Sequence, residues 1–310
     1  MAHAISGVWV PAVTPFDASL NVDEKRFIAY CRWLLDHGAN GLAVFGTTSE
    51  ATSLGMSERK GLLEKLIGAG IPPAKLLPGT GLSALPETVA LTRHAVGLGC
   101  AGVLMLPPFY YKNISDDGLV AAYSETIERV GDAQLRLYLY HIPQMSGVPI
   151  TLTAMERLLK KFPQTIVGIK DSSGNWDNTK AVLTNFPQLT TFPATEARLL
   201  EGMGMGAAGC ISASANMNIA MIADLIAAIR ASDKSAVSKQ QTVAAIRQVM
   251  EKVPVIAAMK ALYARSSSVP DWATVRPPLT RFGDAPLSTM IADLEKAGFH
   301  PQAALKGLPG

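Results

Sequence analysis

The chain has 310 residues, of which 17% are charged and 48% are hydrophobic, and its formal net charge is +3 at pH 7. This composition excludes an intrinsically disordered chain, which would combine low hydrophobicity with a high net charge. It also argues against nucleic-acid binding, because the basic residues form only isolated pairs such as Arg59-Lys60 and Lys160-Lys161.

The cysteines and the first residues of the chain indicate the compartment. Cys31, Cys100 and Cys210 lie far apart without a CxxC pair, so neither a disulfide framework nor a zinc site is predicted. The N-terminal segment lacks the basic and apolar regions of a signal peptide. Residues 202–223 carry no charge over a length that would span a bilayer, but their four Gly, two Ser and two Asn favour a strand, a loop and a helix start. We therefore expect a cytoplasmic protein without a membrane segment.

Short apolar runs recur along the chain, and each is followed by a turn and by a segment with helical spacing. Several runs are apolar throughout rather than alternating, as expected of parallel strands that are covered on both faces. The segments between them have apolar helical faces, such as Phe27, Cys31 and Leu34. The candidate strands are residues 8–13, 41–45, 75–77, 102–106, 135–142, 165–169, 189–192 and 208–212.

Eight strand-helix units in succession predict the α/β class and favour a (β/α)8 TIM barrel, with an open doubly wound sheet as the alternative. After residue 231 the sequence shows no further strand but three more helical patterns, at residues 238–252, 255–265 and 287–296. We therefore predict a catalytic barrel over residues 1–231 and a C-terminal helical extension over residues 232–310.

Lys170 is the most informative residue for chemistry, because catalytic groups of a barrel lie at the C-terminal ends of its strands. It closes the apolar run at residues 166–169, which would place its amine inside or at the mouth of the barrel. Desolvation of an amine favours its neutral form, which imine formation with a ketone requires. The structural alternative is a lysine that extends from a strand end into solvent.

Two further strand ends carry groups that suit this chemistry. Tyr140 ends the fifth candidate strand and would lie beside Lys170, where its hydroxyl would transfer protons, although a tyrosine of the core is the alternative. The turn at Gly46, Thr47 and Thr48 offers backbone N–H groups and two hydroxyls for a carboxylate, although such turns are common in loops.

Other motifs do not fit their context. Residues 204–209 match GxGxxG, but they precede a candidate strand instead of following one, which excludes a dinucleotide site. No zinc-protease, EF-hand or P-loop pattern occurs, so no metal is predicted.

Four segments taken together closely resemble the dihydrodipicolinate synthase and N-acetylneuraminate lyase family. Their order and spacing match over residues 7–212, and the segments are residues 46–50, 108–111, 140–147 and 168–174. The resemblance implies a class I, Schiff-base aldolase on a TIM barrel, typically a homotetramer, that uses pyruvate and needs no cofactor beyond the imine.

The resemblance also implies roles for individual residues. Lys170 matches the lysine that forms the imine, and Tyr140 matches the tyrosine that transfers protons. Thr47 and Thr48 match residues that bind the pyruvyl carboxylate and relay protons, with Ile211 at a backbone position of the same pocket. A last match, Tyr110, corresponds to the relay tyrosine contributed by a neighbouring subunit.

Departures from the family pattern narrow the substrate. Met145 occupies the position at which dihydrodipicolinate synthases carry an arginine for the carboxylate of aspartate semialdehyde, and a thioether cannot replace that cation. Sialic acid lyases carry an acidic residue where this chain has Ala197. We expect the pocket beyond pyruvate to be lined by Met145, Ser172, Thr195 and Glu196.

This pocket suits a neutral or polyhydroxylated aldehyde, so the sequence predicts cleavage of a 2-keto-3-deoxy sugar acid to pyruvate and an aldehyde. Three alternatives remain open. They are a 4-hydroxy-tetrahydrodipicolinate synthase, a 2-keto acid dehydratase, and a barrel that binds a keto acid without turning it over.

Overall fold

The structure is a computed structural model and describes residues 5–310. Two groups of hydrogen-bonded strands occur in this part of the chain, in the orders β2-β1-β7 and β3-β4-β5-β6. Pairing is parallel between β1 and β2 and throughout the second group, as the apolar runs predict. The strands are β1 (Gly7–Val10), β2 (Gly41–Leu42), β3 (Val103–Met105), β4 (Leu137–His141), β5 (Ile166–Asp171), β6 (Thr190–Pro193) and β7 (Gly209–Cys210).

Helices connect these strands, because parallel neighbours need a crossover connection. Short 3₁₀ turns occur at Ala51–Ser53, Pro73–Lys75 and Pro270–Ala273. The helices are α1 (Glu24–Asp36), α2 (Met56–Gly68), α3 (Leu85–Gly97), α4 (Asp116–Val130), α5 (Pro143–Ser146), α6 (Leu152–Lys161), α7 (Trp176–Asn185), α8 (Leu199–Gly204), α9 (Ala215–Arg230), α10 (Ser235–Met250), α11 (Val255–Ser267), α12 (Asp284–Lys296) and α13 (Pro301–Ala304).

The third candidate strand is the one that the sequence pattern placed wrongly. Residues 75–77 do not form a continuous strand, since Pro73–Lys75 is a 3₁₀ turn and only Leu76 of the three makes a β-bridge. The chain joins β3 slightly later, through a parallel bridge between Gly79 and Leu104. Prolines at positions 72, 73 and 78 lack the N–H that a strand would donate, which explains why the pairing here is so short.

The helical patterns near the C-terminus are confirmed as α10, α11 and α12. The uncharged stretch at residues 202–223 forms the end of α8, then β7 and the start of α9. Among residues 5–310, no helix combines the length and apolar character that a membrane crossing requires. The division of the chain at residue 231 stays a prediction.

The chain forms two compact units. The first comprises residues 5–6, 56–194 and 202–209, and it contains β3 to β6. The second comprises residues 7–55, 195–201 and 210–310, and it contains β1, β2 and the helices from α9 onward.

A buried hydrogen-bond network organises the second unit around the end of β1. The Asn216 side chain accepts from the N–H of Val13 at 3.1 Å and from the Tyr30 hydroxyl at 2.7 Å, and it donates to the oxygen of Pro11 at 3.1 Å. The Tyr263 hydroxyl donates to the backbone oxygen of Asn216 at 2.6 Å. These bonds satisfy backbone groups that β1 leaves unpaired when it ends.

Candidate active site

Lys170 and Tyr140 lie side by side at the ends of β5 and β4. They are direct partners in the register of the two strands, so their side chains share one face of the sheet. Only 4% of Lys170 and 2% of Tyr140 is exposed. The Nζ of Lys170 lies over the Tyr140 ring, 4.2 Å from its centroid. The lysine is therefore held in the protein interior and does not extend into solvent.

The neighbouring carboxylate of Asp171 is not a partner of this amine. Side chains alternate along a strand, and Asp171 accepts from the N–H of Ser173 at 2.9 Å, from Nδ2 of Asn178 at 2.9 Å and from the Thr179 hydroxyl at 2.7 Å. These bonds tie the end of β5 to α7. Among the residues of this unit that the structure describes, no carboxylate forms an ion pair with Lys170.

His141 supports the strand end from the other face of β4. Its Nδ1 accepts the N–H of Ile150 at 3.0 Å, so the neutral ring carries its proton on Nε2. Burial lowers the pKa of this imidazole, against the opposing attraction of Asp171. His141 thus acts as a neutral hydrogen-bond acceptor that fixes the segment after α5.

Exposed side chains surround these strand ends in the first unit. Tyr110 and Tyr111 are each 75% exposed, and their rings meet edge to face at a centroid distance of 5.6 Å. Met145 in α5 is 63% exposed. Lys112 donates to the oxygen of Ser146 at 2.8 Å and so connects the tyrosine loop to α5.

Ser172 is the hydroxyl-bearing residue of the predicted pocket that lies in the first unit. Its Oγ is buried and has no hydrogen-bond partner among residues 5–310. Its backbone oxygen accepts from Nε2 of Gln144 at 2.6 Å. A buried hydroxyl without a partner is uncommon, which is consistent with a group that binds a ligand.

In the second unit, residues 46–50 form a tight turn after β2. The N–H groups of Ser49 and Ala51 both donate to the oxygen of Gly46, at 3.1 and 3.2 Å. Thr47 is half-buried and Thr48 is buried. The other predicted pyruvate contact of this unit, Ile211, is fully buried just after β7.

Glu196 is enclosed by polar partners of its own unit. The hydroxyls of Ser212 and Ser214 donate to its two carboxylate oxygens, and Nη1 of Arg247 lies 3.7 Å from one of them. The residue is fully buried, so its carboxylate contacts these partners and not solvent. The neighbouring Thr195 hydroxyl accepts the N–H of Ala197 at 3.2 Å. Substrate contacts of Thr195 and Glu196 stay predictions.

A second buried lysine, Lys260 in α11, was not identified from the sequence. Its Nζ lies 2.6 Å from Oε1 of Glu50, and both side chains are fully buried. Burial lowers the pKa of Lys260 to about 8, against the opposing attraction of Glu50. The signal was present: Lys260 is the single charge in the run from Val255 to Tyr263, and a charge on a buried face needs a partner.

Among residues 5–310, no group of three or more His, Cys, Asp or Glu side chains is arranged to hold a metal ion.

Comparisons with known proteins identify the family. The sequence model of the Dihydrodipicolinate synthetase family matches residues 4–297. The chain belongs to this family. It is 32% identical over 291 residues to an uncharacterized DapA-like lyase of Chloroflexus aurantiacus, covering 94% of this chain and 96% of the relative.

Two solved structures of the dihydrodipicolinate synthetase family are similar in fold. The dihydrodipicolinate synthase from Agrobacterium tumefaciens has a TM-score of 0.85 and 29% identity, covering 94% of this chain and 99% of that one. YagE, a prophage protein of the family from E. coli in complex with pyruvate, has a TM-score of 0.85 and 25% identity, covering 96% of this chain and 99% of that one. These matches confirm the predicted (β/α)8 barrel with C-terminal helices. The protein is accordingly a class I pyruvate-dependent lyase or aldolase.

Proposed function

We propose that this protein cleaves a 2-keto-3-deoxy sugar acid to pyruvate and an aldehyde, through an imine on Lys170. The observation that carries the proposal is the pairing of Lys170 with Tyr140, with Nζ 4.2 Å from the ring centroid and both side chains almost fully buried. An amine that is shielded from water and forms no ion pair among the described residues of its unit is available to attack a ketone.

The reaction begins when Nζ of Lys170 attacks C2 of the keto acid. Loss of water from the carbinolamine gives a protonated imine, which accepts electrons. Tyr140 takes the proton of the C4 hydroxyl, the C3–C4 bond breaks, and its electron pair forms the enamine while the aldehyde leaves. Protonation of C3 and hydrolysis of the imine release pyruvate and regenerate the amine.

The remaining roles are proposed on the family resemblance. Thr47 and Thr48 bind the carboxylate of pyruvate and relay protons, and Ile211 lines the same pocket. Tyr110 completes the relay from a neighbouring subunit of a homotetramer in the cytoplasm. Its 75% exposure supports this role, because large exposed aromatic side chains are typical of protein interfaces.

The charge of the predicted pocket supports this substrate class. Met145 offers no cation for a second carboxylate, and the nearby ammonium of Lys112 is bound to the oxygen of Ser146. The unpartnered hydroxyl of Ser172 instead suits a hydroxylated substrate. Of the alternatives, the synthase is favoured by the Agrobacterium relative, and the dehydratase shares the same imine.

The test combines trapping with a substrate panel. Borohydride reduction in the presence of pyruvate, followed by peptide mass mapping, should give an adduct on Lys170. A panel of 2-keto-3-deoxy sugar acids should then release pyruvate. An unmodified Lys170 would support the non-catalytic barrel. Efficient condensation of pyruvate with aspartate semialdehyde would support the synthase, and loss of water without pyruvate release would support the dehydratase.

A further inference from the structure

Lys260 is a buried cation that the proposed reaction does not use. Its ammonium is fully buried, bound to Glu50 at 2.6 Å, and lies over the Phe16 ring at 4.4 Å from the centroid. Removing two charges from water is costly, and a buried ion pair is on its own a weak source of stability. Its place in the fold therefore points to a role beyond stability.

The partner of Lys260 is the last residue of the turn at residues 46–50. Glu50 adopts a left-handed backbone conformation with φ of 57°, which is uncommon for a residue with a side chain. Its N–H donates to the oxygen of Thr47 at 3.1 Å. Its second carboxylate oxygen accepts the N–H of Arg276 at 3.1 Å. Both oxygens of Glu50 are thus held by the C-terminal segment of the chain.

The other side of the turn is held by the segment after β1. The Ser49 hydroxyl donates to the oxygen of Ala12 at 2.6 Å, and the Thr14 hydroxyl donates to the oxygen of Ser49 at 2.8 Å. Thr47 and Thr48 lie between Gly46 and these anchors. The anchors on the two sides of the turn therefore constrain their conformation.

We infer that Lys260 is a positioning residue for pyruvate: its ion pair with Glu50 holds the turn in the conformation that presents Thr47 and Thr48 to the carboxylate of the keto acid. Lys260 itself touches no substrate. The inference rests on the proposed function, which assigns this contact to the two threonines. It gives α11, in the predicted helical extension, a part in binding the substrate.

The test compares Lys260→Met with Ser266→Ala. Both variants remove a buried polar group from α11, but the Ser266 hydroxyl has no hydrogen-bond partner among residues 5–310 and so contacts neither anchor of the turn. The pyruvate concentration for half-maximal borohydride trapping of Lys170 should rise about tenfold or more in Lys260→Met, because misplaced binding groups lose much of their effect. It should stay within about twofold in Ser266→Ala, and labelling at saturating pyruvate should remain complete in both.

The double variant Glu50→Gln with Lys260→Met separates positioning from stability. It leaves no unpaired buried charge, so thermal stability should recover relative to Lys260→Met. The tether is still missing, so pyruvate binding should remain weak. Recovery of stability and pyruvate binding together would show a purely structural role and overturn the inference, as would an unchanged trapping curve in Lys260→Met.

Amide hydrogen exchange of residues 46–51 provides a readout that needs no reaction. Exchange of these amides should accelerate in Lys260→Met and not in Ser266→Ala, because the turn loses one anchor only in the first variant. Unchanged exchange would overturn the inference. If the wild-type protein forms no adduct with pyruvate, the proposed function fails, and hydrogen exchange alone decides whether Lys260 positions the turn.

Discussion

The two buried lysines of this protein differ in what surrounds their amines. Lys170 and Lys260 are 4% and 0% exposed, and each amine lies over an aromatic ring, at 4.2 and 4.4 Å from the centroid. Lys260 is bound to the carboxylate of Glu50 at 2.6 Å. Lys170 has no ion pair among the described residues of its own unit.

Lysine therefore serves two purposes in this protein. A carboxylate partner stabilises the ammonium form of a buried lysine and accepts hydrogen bonds from it. Such a lysine links two segments of the chain and is a poor nucleophile. An aromatic face attracts the ammonium much less strongly than a carboxylate does, which leaves the amine accessible to a ketone. The partner of a buried lysine, more than its burial, therefore separates a nucleophile from an anchor.

The first prediction compares substitutions of the two lysines, and the expected loss of turnover is the largest effect. Replacement of Lys170 by Met should lower turnover by about 10³-fold or more, because no other group forms the imine. Its stability should remain at or above that of the wild type, since an unpaired buried amine is replaced by an apolar side chain. Steady-state kinetics with pyruvate detection and denaturant unfolding measure the two effects.

Lys260→Met is the matched variant for this comparison. It leaves Glu50 buried without its partner, so the free energy of unfolding should fall by about 3–5 kcal/mol. Substitution of the exposed Lys160 by Met should change neither property. If Lys170→Met lost as much stability as Lys260→Met, the distinction between nucleophile and anchor would be wrong.

The second prediction separates the hydroxyl of Tyr140 from its ring. Tyr140→Phe keeps the aromatic face beside Lys170 but removes the proton-transferring group, so turnover should fall by about 10²- to 10⁴-fold. Slow trapping of pyruvate on Lys170 should persist, because the amine remains in place. Tyr138→Phe, two residues earlier on β4, is the control. Comparable losses of turnover in both variants would mean that Tyr140 acts through packing.

Much of this comparison was predictable from the sequence, and the reason is local. Lys170 follows an apolar run that predicts a buried strand, and strand pairing alone then brings Tyr140 beside it. The candidate strand at residues 75–77 is not continuous, because the neighbouring prolines lack the N–H groups that a longer pairing would need. The Glu50 and Lys260 pair joins residues that are far apart in sequence. A pattern reveals that each charge needs a partner, but only the folded chain shows which one.

The burial of Glu196 was not predictable from the sequence for the same physical reason. Its position after β6 suggests a loop residue at the active face, and the sequence contains no sign that Ser212 and Ser214 would enclose its carboxylate. Buried polar networks depend on tertiary contacts, so residue type and spacing predict them poorly.

The third prediction, with the smallest effect, extends the comparison to a buried base whose partner is a backbone amide. Burial holds the pKa of His141 below its ordinary value of about 6.5. The unfolded chain therefore binds more protons than the folded protein below about pH 6.5, and stability should fall as the pH drops through this range. His141→Asn cannot gain this proton, and its amide oxygen can still accept from Ile150, so its stability should depend less on pH.

Denaturant unfolding between pH 5 and 8, with His300→Asn as an exposed control, measures the difference. Parallel curves for wild type and His141→Asn would show that the imidazole is not held neutral by the fold.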